Sequence, residues 1–381
     1  MRCPKSDFSF LEHSGAVGHV LGIKVRMFSE DSPKALDQRR LLIASTNLPP
    51  FVGGAQHVAW ELANNLAGKY DVHVLTTQRD CSVSRKGVTL HPVPLRPYMT
   101  ITYSTISRSV IDRIVRKVSP HIIHSHTALP WGYIFCKEKW KKRVITLHGS
   151  DVFTARGDVL RTKGYPERYF VASALKDSGV VVSPSKWVSD YVLENYHVRP
   201  VVIPNGVDTK IFRPLGTSTS RNVILFVGRF IEEKGISDLM KVARALPEYE
   251  FLLAGKGPLE IPALPNVKNL GFHENTVPLY AAASVCVFPS LRENFPLVGL
   301  EAMACGKAVV ATKGGFSEYI ENGRDGILLE SHDVQALVNS IRYLMEDETT
   351  RRRFERNARS KAAQYDWSII AEKYGDLYES L

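Results

Sequence analysis

Long apolar runs and paired cysteines are both missing from this chain of 381 residues. No stretch of eighteen or more apolar residues occurs, and the first thirty residues lack a hydrophobic signal core, which argues against a membrane-spanning or exported protein. The 5 cysteines are widely spaced and never form C-x-x-C. They indicate neither a disulfide framework nor a zinc site, so we expect a cytoplasmic protein.

Two common nucleotide-binding motifs are also incomplete. The segment G-K-G-P-L-E at 255–260 fails the pattern G-x-G-x-x-G at its last position, which argues against a nicotinamide oxidoreductase. The dipeptide G-K at 306–307 is followed by Ala308 and lacks the upstream glycine of a P-loop. Neither class of nucleotide enzyme is therefore indicated.

What the chain does contain is an alternation of short Val- and Ile-rich runs with helical patterns, from Leu41 onward. This alternation is typical of parallel sheets built from strand-helix-strand units. The predicted strands are 41–46, 72–77, 121–126, 144–148 and 180–184 in a first sheet, and 223–228, 250–255, 267–272, 285–290, 308–312 and 326–330 in a second. We predict an α/β fold with two doubly wound, Rossmann-like parallel-sheet domains that face a central cleft.

The length suits two domains of about 150 to 200 residues each. We place the N-terminal domain at 39–204 and the C-terminal domain at 205–365, with a Pro-, Gly- and Ser-containing connection at the start of the second. Residues 1–38 show no strand-helix pattern, and we interpret them either as a disordered N-terminal extension or as a mis-assigned start. The tail after Asp333 is predicted to be helical throughout.

The charge is unevenly distributed between these domains. Residues 39–204 contain 23 Lys and Arg against 11 Asp and Glu, whereas residues 205–381 contain 21 against 23. One half of the protein is strongly basic and the other is nearly neutral.

Ligands of doubly wound sheets bind at the carboxyl ends of the strands, so the loops that follow strands are the places to look for chemistry. After the strand at 285–290, Pro296 suits the first turn of a helix, Gly306 suits its end and Glu293 falls on the preceding loop. Glu301 then lies one turn into that helix. One carboxylate can bind the hydroxyls of a sugar and the other those of a ribose.

Cations and glycines occupy other loops of this kind. Arg229 and Lys234 follow the first strand of the second domain, where two cations can offset the charge developing on a leaving diphosphate. Gly314 and Gly315, between a strand and a predicted helix, allow backbone N–H groups to approach a phosphate.

The first domain offers similar positions on the opposite side of the cleft. Gly53 and Gly54 follow its first strand and can bring the backbone close to a ligand. His148 ends the strand at 144–148, and the two small residues that follow it leave room for a ligand. His57, His124 and His126 are interpreted as structural.

Six motifs in order carry a resemblance to a known family. They are G-G-A at 53–55, H-G-S-D at 148–151, N-G-V-D at 205–208, V-G-R with E-K-G within 227–235, E-N-F-P-L-V-G-L-E at 293–301 and G-G-F-S-E at 314–318. From about Arg40 to its end the chain resembles a family-four retaining glycosyltransferase of the GT-B architecture. Phe316 stands where that family commonly has a smaller aliphatic residue.

The resemblance implies a role for each matching residue. His148 and Glu293 are the implied catalytic residues, Glu293 and Asn294 contact the transferred sugar, and Glu301 binds the ribose. The diphosphate is assigned to Arg229, Lys234, Gly53, Gly54 and the backbone amides of Phe295 and Leu297. Further cleft candidates are Asp151, Asn205, Gly314, Gly315 and Glu318, and the helix at 366–381 is expected to cross back to the first domain.

The resemblance also implies a mechanism in which the acceptor attacks from the face that the phosphate leaves, with the phosphate helping to remove its proton. No Asp-x-Asp occurs, so we expect neither a metal nor another cofactor, and the donor is a UDP-sugar or a GDP-sugar. Two alternatives stay open: a nucleotide-sugar epimerase of the same architecture, and a non-catalytic protein that binds sugar nucleotides.

The basic half suggests the acceptor. Residues 106–118 predict an amphipathic helix with cations opposite its apolar side, and residues 137–143 add five cations around Trp140. We expect this surface to dock on anionic lipid and bring the cleft to a lipid-linked or glycan acceptor, which makes the protein peripheral to the membrane. The alternative is that these cations are merely solvated. No nucleic-acid recognition motif accompanies them, so no nucleic-acid partner is expected.

Overall fold

A computed structural model describes residues 38–48, 53–77, 85–93, 106–136, 142–149, 152, 165–216 and 222–381, and the account below concerns these residues. The predicted extension at 1–38 lies outside them except for Gln38. All of the described residues belong to the compact unit Gln38–Leu381.

A sheet of seven parallel strands forms the first domain. The strands are β1 (Arg40–Ser45), β2 (Asp71–Thr76), β3 (Val88–Pro92), β4 (Ile122–His126), β5 (Arg143–Thr146), β6 (Val180–Ser183) and β7 (Val201–Val202). Their order across the sheet is β3-β2-β1-β4-β5-β6-β7. The inner strands are covered on both faces, which explains why β1 is a continuous apolar run rather than an alternating pattern, although β4 also buries His124, Ser125 and His126.

Helices cover both faces of this sheet. They are α1 (Gly54–Leu66), α2 (Ile106–Val118), α3 (Tyr133–Cys136), α4 (Tyr165–Asp177) and α5 (Lys186–Tyr196). Alternate residues of β1 show the two faces, since Leu41 packs in one core with side chains of α1. Leu42 packs in another core with Ile111 and Val115 of α2.

The second domain repeats the pattern with six parallel strands. They are β8 (Val223–Val227), β9 (Glu250–Ala254), β10 (Val267–Gly271), β11 (Val285–Phe288), β12 (Ala308–Thr312) and β13 (Ile327–Leu329), in the order β10-β9-β8-β11-β12-β13. Its helices are α6 (Ile236–Ala245), α7 (Val277–Ala282), α8 (Leu297–Ala304), α9 (Val334–Glu346) and α10 (Glu348–Ala363). The strand order reverses between β8 and β11, as it does between β1 and β4, and such switch points are where doubly wound sheets bind ligands.

The predicted fold class is therefore confirmed, and each predicted strand is present with ends within two residues of the prediction. The prediction missed β3 and β7, the two edge strands of the first sheet. Both residues of β7 are exposed and β3 is only partly buried, so neither has the apolar signature of a covered strand.

The tail after Asp333 is helical, as predicted, with short breaks that divide it into three helices. It forms α9, α10 and a last helix, α11 (Trp367–Ser380). An aspartate side chain accepts a backbone N–H at the start of each helix: Asp333 from Ala336, Asp347 from Thr350 and Asp366 from Ser368, each at 2.9 Å. These caps stop one helix and begin the next, because a capping residue has a non-helical backbone.

Helix α11 packs on the first domain, although it follows the second in the chain. Its Trp367, Ile370, Tyr374 and Tyr378 are buried in the same core as α1 and β1. The chain leaves the first domain at Gly206, where an added Cβ would lie 2.6 Å from the Trp367 ring, so only glycine lets the two segments cross this closely.

Candidate functional site

The loops after β8 and β11 meet at the switch point of the second sheet and bring opposite charges together. Lys234 ends a short 3-10 turn, Glu232–Lys234, in the first loop, and its Nζ pairs with Oε1 of Glu293 in the second. The same Glu293 oxygen accepts a hydrogen bond of 3.0 Å from Ser290. The side chains of Lys234 and Glu293 are 19% and 13% exposed, so water screens this pair less than a surface ion pair.

Close packing fixes the lysine loop. Gly235 has a φ of +71°, and a Cβ there would lie 1.9 Å from the carbonyl oxygen of Pro289, just after β11. Only glycine therefore lets the two loops approach closely enough for Lys234 to reach Glu293. Arg229, two residues beyond β8, is exposed at the same edge of the sheet.

Glu301 lies on α8, half-buried, and its Oε2 accepts a hydrogen bond of 2.8 Å from the hydroxyl of Tyr280 on α7. Burial raises the pKa of Glu301 to about 7, and the Tyr280 hydrogen bond opposes that shift. A carboxylate that accepts from one donor among the described residues has remaining capacity for the hydroxyls of a ligand.

The two glycines after β12 lie between that strand and a helix, as predicted, although the helix is short, of the 3-10 type, and begins at Gly315. Gly314 leads into a 3-10 turn, Gly315–Glu318, because the chain must turn back within a few residues to enter β13. An added Cβ at Gly315 would lie 2.6 Å from the carbonyl oxygen of Asn294 and 2.8 Å from that of Glu293. Gly315 therefore supports the Glu293 loop from behind, whereas Gly314, with a φ of +99°, has open space beside it.

The first domain faces this site through its glycine pair. Gly53 precedes α1, and its N–H donates to the Gln56 side chain at 3.0 Å. A Cβ added to Gly54 would lie 4.0 Å from Leu297 at the start of α8. The two glycines thus lie opposite the helix that carries Glu301.

His148 lies two residues beyond the end of β5 rather than within the strand. Its ring is half-buried, and its Nε2 lies 3.2 Å from Nδ1 of His126. Burial lowers the pKa of His148 to about 4, so this imidazole is neutral at pH 7.

Other predicted residues connect the two domains. The Asn294 side chain accepts from the Ser185 hydroxyl at 2.5 Å. The Glu318 carboxylate accepts the first two backbone N–H groups of α5, from Lys186 at 3.0 Å and Trp187 at 3.2 Å. This placement follows the preference of a carboxylate for the positive end of a helix.

The Asn205 amide donates to the carbonyl of Phe295 at 3.5 Å. The Phe295 and Phe316 side chains are buried, and Phe316 stacks on Phe288 at 5.7 Å between ring centroids, in the domain core. Asp151, the remaining candidate, lies outside the described residues.

Sequence reasoning missed Ser290, Tyr280 and Ser185, which hold Glu293, Glu301 and Asn294 in place. Ser290 and Ser185 each follow a strand of a doubly wound sheet, and that position is the one signal that could have identified them. Tyr280 has no such signal, since it ends up near Glu301 only through packing of α7 against α8.

The basic surface of the first domain is partly described. Ile111, Val115 and Val118 of α2 are buried against the sheet, whereas Arg113, Arg116 and Lys117 are exposed. Residues 137–141 lie outside the described part of the chain.

Arg143 does not belong to this basic surface. Its guanidinium donates to the backbone carbonyls of Phe135, Cys136 and Asp177 at 3.0, 2.8 and 2.5 Å. It holds β5 to its neighbours, so its inclusion among the docking cations is corrected.

None of the described helices is long and apolar enough to cross a membrane. Among the described residues, no group of three or more His, Cys, Asp or Glu is placed to hold a metal ion.

Two family models match consecutive parts of the chain. "Glycosyltransferase Family 4" matches residues 52–211 and "Glycosyl transferases group 1" matches residues 207–361. An uncharacterized glycosyltransferase of Methanocaldococcus jannaschii is 29% identical over 348 residues, 87% of this chain and 96% of that protein. An N,N'-diacetylbacillosaminyl-diphospho-undecaprenol alpha-1,3-N-acetylgalactosaminyltransferase of Campylobacter jejuni is 34% identical over 167 residues, 41% of this chain and 44% of that protein.

Solved structures share the fold. The sucrose-phosphate synthase of Thermosynechococcus elongatus superposes with a TM-score of 0.79 at 23% identity, covering 90% of this chain and 99% of that one. The HepE protein of Anabaena, in complex with UDP-glucose, superposes with a TM-score of 0.71 at 21% identity, covering 90% of this chain and 100% of that one.

Proposed function

Because the chain belongs to the GT-B glycosyltransferases, with a family 4 domain followed by a group 1 domain, we propose that it transfers a hexosyl group from a UDP-sugar or a GDP-sugar to an acceptor at the membrane. The observation that carries the proposal is the meeting of Lys234 with Glu293 at the switch point of the second sheet. One residue is suited to a phosphate and the other to sugar hydroxyls, and both lie where doubly wound sheets bind ligands.

Binding of the donor exchanges partners at this pair. The diphosphate takes over Lys234 and Arg229, whose charges stabilise the negative charge that develops as the phosphate leaves. The sugar hydroxyls then donate to the freed Glu293 carboxylate, which Ser290 keeps in place. Before the donor arrives, the ion pair keeps a mostly buried cation and a mostly buried anion neutralised.

The ribose is assigned to Glu301. Its hydroxyls donate to the carboxylate, and hydrogen bonds to the charged form favour ionisation. Because burial outweighs the Tyr280 hydrogen bond and leaves the pKa of Glu301 at about 7, ribose binding is expected to lower this pKa again. Donor binding therefore weakens as pH falls below about 7.

A screen of nucleotide-sugars tests the donor assignment. The purified protein is incubated with each UDP-sugar and GDP-sugar, and thermal stabilisation and release of free nucleotide are measured. We expect one donor to stabilise the protein and to be hydrolysed slowly without an acceptor. Conversion of the donor into its sugar epimer without nucleotide release would contradict a transferase.

We also propose that transfer retains the anomeric configuration. The acceptor oxygen forms its bond to the anomeric carbon on the face from which the phosphate oxygen departs, and the acceptor proton passes to that phosphate oxygen. Proton NMR of the first product formed shows the anomer directly. A product of inverted configuration would exclude this route.

Metal independence is part of the proposal, since Lys234 and Arg229 are assigned the charge that a metal would otherwise supply. The chain contains no Asp-x-Asp motif that would suggest a metal clamp. Activity is expected to survive excess EDTA. Complete loss with EDTA, restored by manganese or magnesium, would overturn this part.

The acceptor is proposed to be lipid-linked, with α2 docking on anionic lipid. The printed name of the Campylobacter relative describes transfer to a diphospho-undecaprenol acceptor, which supports this class of acceptor. The exposed Arg113, Arg116 and Lys117 contribute about 1 kcal/mol each near an anionic surface, or about 3 kcal/mol together.

Co-sedimentation with vesicles tests this docking. Binding should require anionic lipid, weaken with salt and fall about 100-fold when Arg113, Arg116 and Lys117 are replaced by Glu. The matched control replaces three exposed arginines of α10, Arg352, Arg353 and Arg356, and should bind like the wild type. Equal binding to neutral vesicles, or equal loss in both variants, would contradict docking through α2.

A further inference from the structure

Three histidine rings lie side by side at the ends of two neighbouring strands, with His126 and His148 stacked and His124 tilted against His126. His124 and His126 lie on β4, two residues apart and hence on the same face, and His148 follows β5. The ring centroids are 4.4 Å apart between His124 and His126, and 5.4 Å apart between His126 and His148. The inner two are buried, whereas His148 is half-buried.

The hydrogen bond between His126 and His148 defines a choice of tautomer. Nδ1 of His126 lies 3.2 Å from Nε2 of His148, so one of these nitrogens must carry a proton and the other must not. Burial lowers the pKa of both rings, so at pH 7 each ring is neutral and carries a single N–H. Two arrangements of the protons are then possible.

The other nitrogen of His126 distinguishes them. Its Nε2 is buried and has no hydrogen-bond partner within the described part of the chain. If His148 were the donor, His126 would carry its proton on Nε2, and that buried N–H would have no acceptor. An orphaned buried N–H is rarer in proteins than an under-satisfied acceptor, so the opposite arrangement is favoured.

We propose that His126 is a positioning residue whose Nδ1–H donates to Nε2 of His148 and thereby holds His148 in the tautomer with its proton on Nδ1. Resting on the proposed function, this makes His148 a hydrogen-bond donor at Nδ1. It then binds an oxygen of the donor substrate through Nδ1 and does not remove a proton from the acceptor there.

Helix α11 holds this arrangement from below. Both nitrogens of His124 are engaged, Nδ1 with the Tyr378 hydroxyl at 2.6 Å and Nε2 with the Thr146 hydroxyl at 2.7 Å. Thr146 in turn contacts the Tyr374 hydroxyl at 3.1 Å. With its ring fixed in this way, His124 packs against His126 and opposes rotation of that ring.

Nuclear magnetic resonance tests the tautomer without any need for activity. Full-length protein labelled with 15N at histidine is examined by long-range 1H–15N correlation at pH 7, and His148 is assigned from the spectrum of His148→Gln. The proposal predicts a neutral ring with its proton on Nδ1. A ring with its proton on Nε2 would overturn the proposal, whatever the donor turns out to be.

A pair of variants tests the role in transfer. In His126→Asn the amide nitrogen replaces Nδ1 and keeps the donor to His148, whereas in His126→Gln it falls nearer the position of Nε2. We expect His126→Asn to keep kcat within about threefold, and His126→Gln to lose about tenfold in kcat with little change in KM for the nucleotide-sugar.

Thermal unfolding of both variants checks that they fold alike. Equal kcat in the two variants would overturn the positioning role. If the wild type uses no nucleotide-sugar at all, the proposed function fails, and the NMR result still decides the tautomer.

Discussion

The Gly315→Ala variant tests whether the loop that carries Glu293 must be held to within a fraction of an ångström. An added Cβ would lie 2.6 Å from the carbonyl oxygen of Asn294 and 2.8 Å from that of Glu293. Both contacts are with backbone atoms, so no side-chain rotation can relieve them. The loop itself must move.

The size of the movement follows from these distances. Ordinary van der Waals contact of a Cβ begins at 3.4 Å, so the Asn294 carbonyl must retreat by about 0.8 Å. A misplacement of about 1 Å can lower the rate of an enzyme about 100-fold. The overpacking itself costs about 1 to 3 kcal/mol of stability. The variant should therefore fold but transfer sugar 10- to 100-fold more slowly, as estimated from this displacement.

The assay compares kcat/KM for the nucleotide-sugar and the midpoint of thermal unfolding. The matched control is Gly68→Ala, because an added Cβ at this exposed glycine meets no atom within 4 Å. The control should match the wild type in both measurements. A folded Gly315→Ala protein with kcat/KM within twofold of the wild type would refute the assignment of this loop to the sugar.

Three further predictions concern stability and require no substrate. Tyr378→Phe should lower the free energy of unfolding by about 1 to 3 kcal/mol, because it leaves Nδ1 of buried His124 without its partner. The control Tyr70→Phe removes a buried hydroxyl that has no hydrogen-bond partner among the described residues, so it should cost little or stabilise. Equal losses of the two variants in urea unfolding would contradict this. Lys307→Met should lower the free energy of unfolding by a similar amount and hence lower the urea midpoint, since Nζ of this buried lysine donates to two carbonyls at the end of α7, at 3.0 and 2.9 Å. An unchanged midpoint would show that these carbonyls find other donors. Glu301 has a pKa raised from 4.5 to about 7 by burial, so its contribution to stability is present below pH 4.5 and is lost as pH rises through 7. Thermal unfolding between pH 4 and 8 should show the wild type losing stability relative to Glu301→Gln. Parallel curves of unfolding temperature against pH for the two proteins would contradict the shift.

The positions of most strands and their parallel arrangement could be predicted, because parallel strands covered on both faces are often continuous apolar runs, as in β1 and β12. The edge strand β7 could not, since its two residues are exposed and differ little from a loop. The breaks between the last three helices depend on single aspartates such as Asp347, which a propensity argument over a long window overlooks.

The sequence predicts which loops carry the site residues, but it does not predict the contacts that these residues make. Arg229, Lys234 and Glu293 follow predicted strands, so their meeting at one edge follows from the parallel topology. The Lys234–Glu293 pair joins residues 59 positions apart, and the Glu318 contact with α5 spans more than 130. Such contacts depend on how the domains pack, and local sequence carries no trace of them. The contacts of His124 could not be predicted for the same reason, since the Tyr378 hydroxyl that bonds it lies 254 positions away in the chain.

The central claim is that Lys234 and the Glu293 loop form the site at which a nucleotide-sugar is bound and cleaved. The most direct measurement is nucleotide release from the donor selected by the screen, in the presence of EDTA, by Lys234→Ala and by the control Lys268→Ala. Lys268 is an exposed lysine of β10 that pairs with Glu250, so its loss removes the same charge from the same domain. The account predicts a loss of at least about tenfold in kcat/KM for Lys234→Ala, since a charge-assisted hydrogen bond contributes about 1.5 to 3 kcal/mol, and wild-type release for Lys268→Ala. Equal release by the two variants would contradict it.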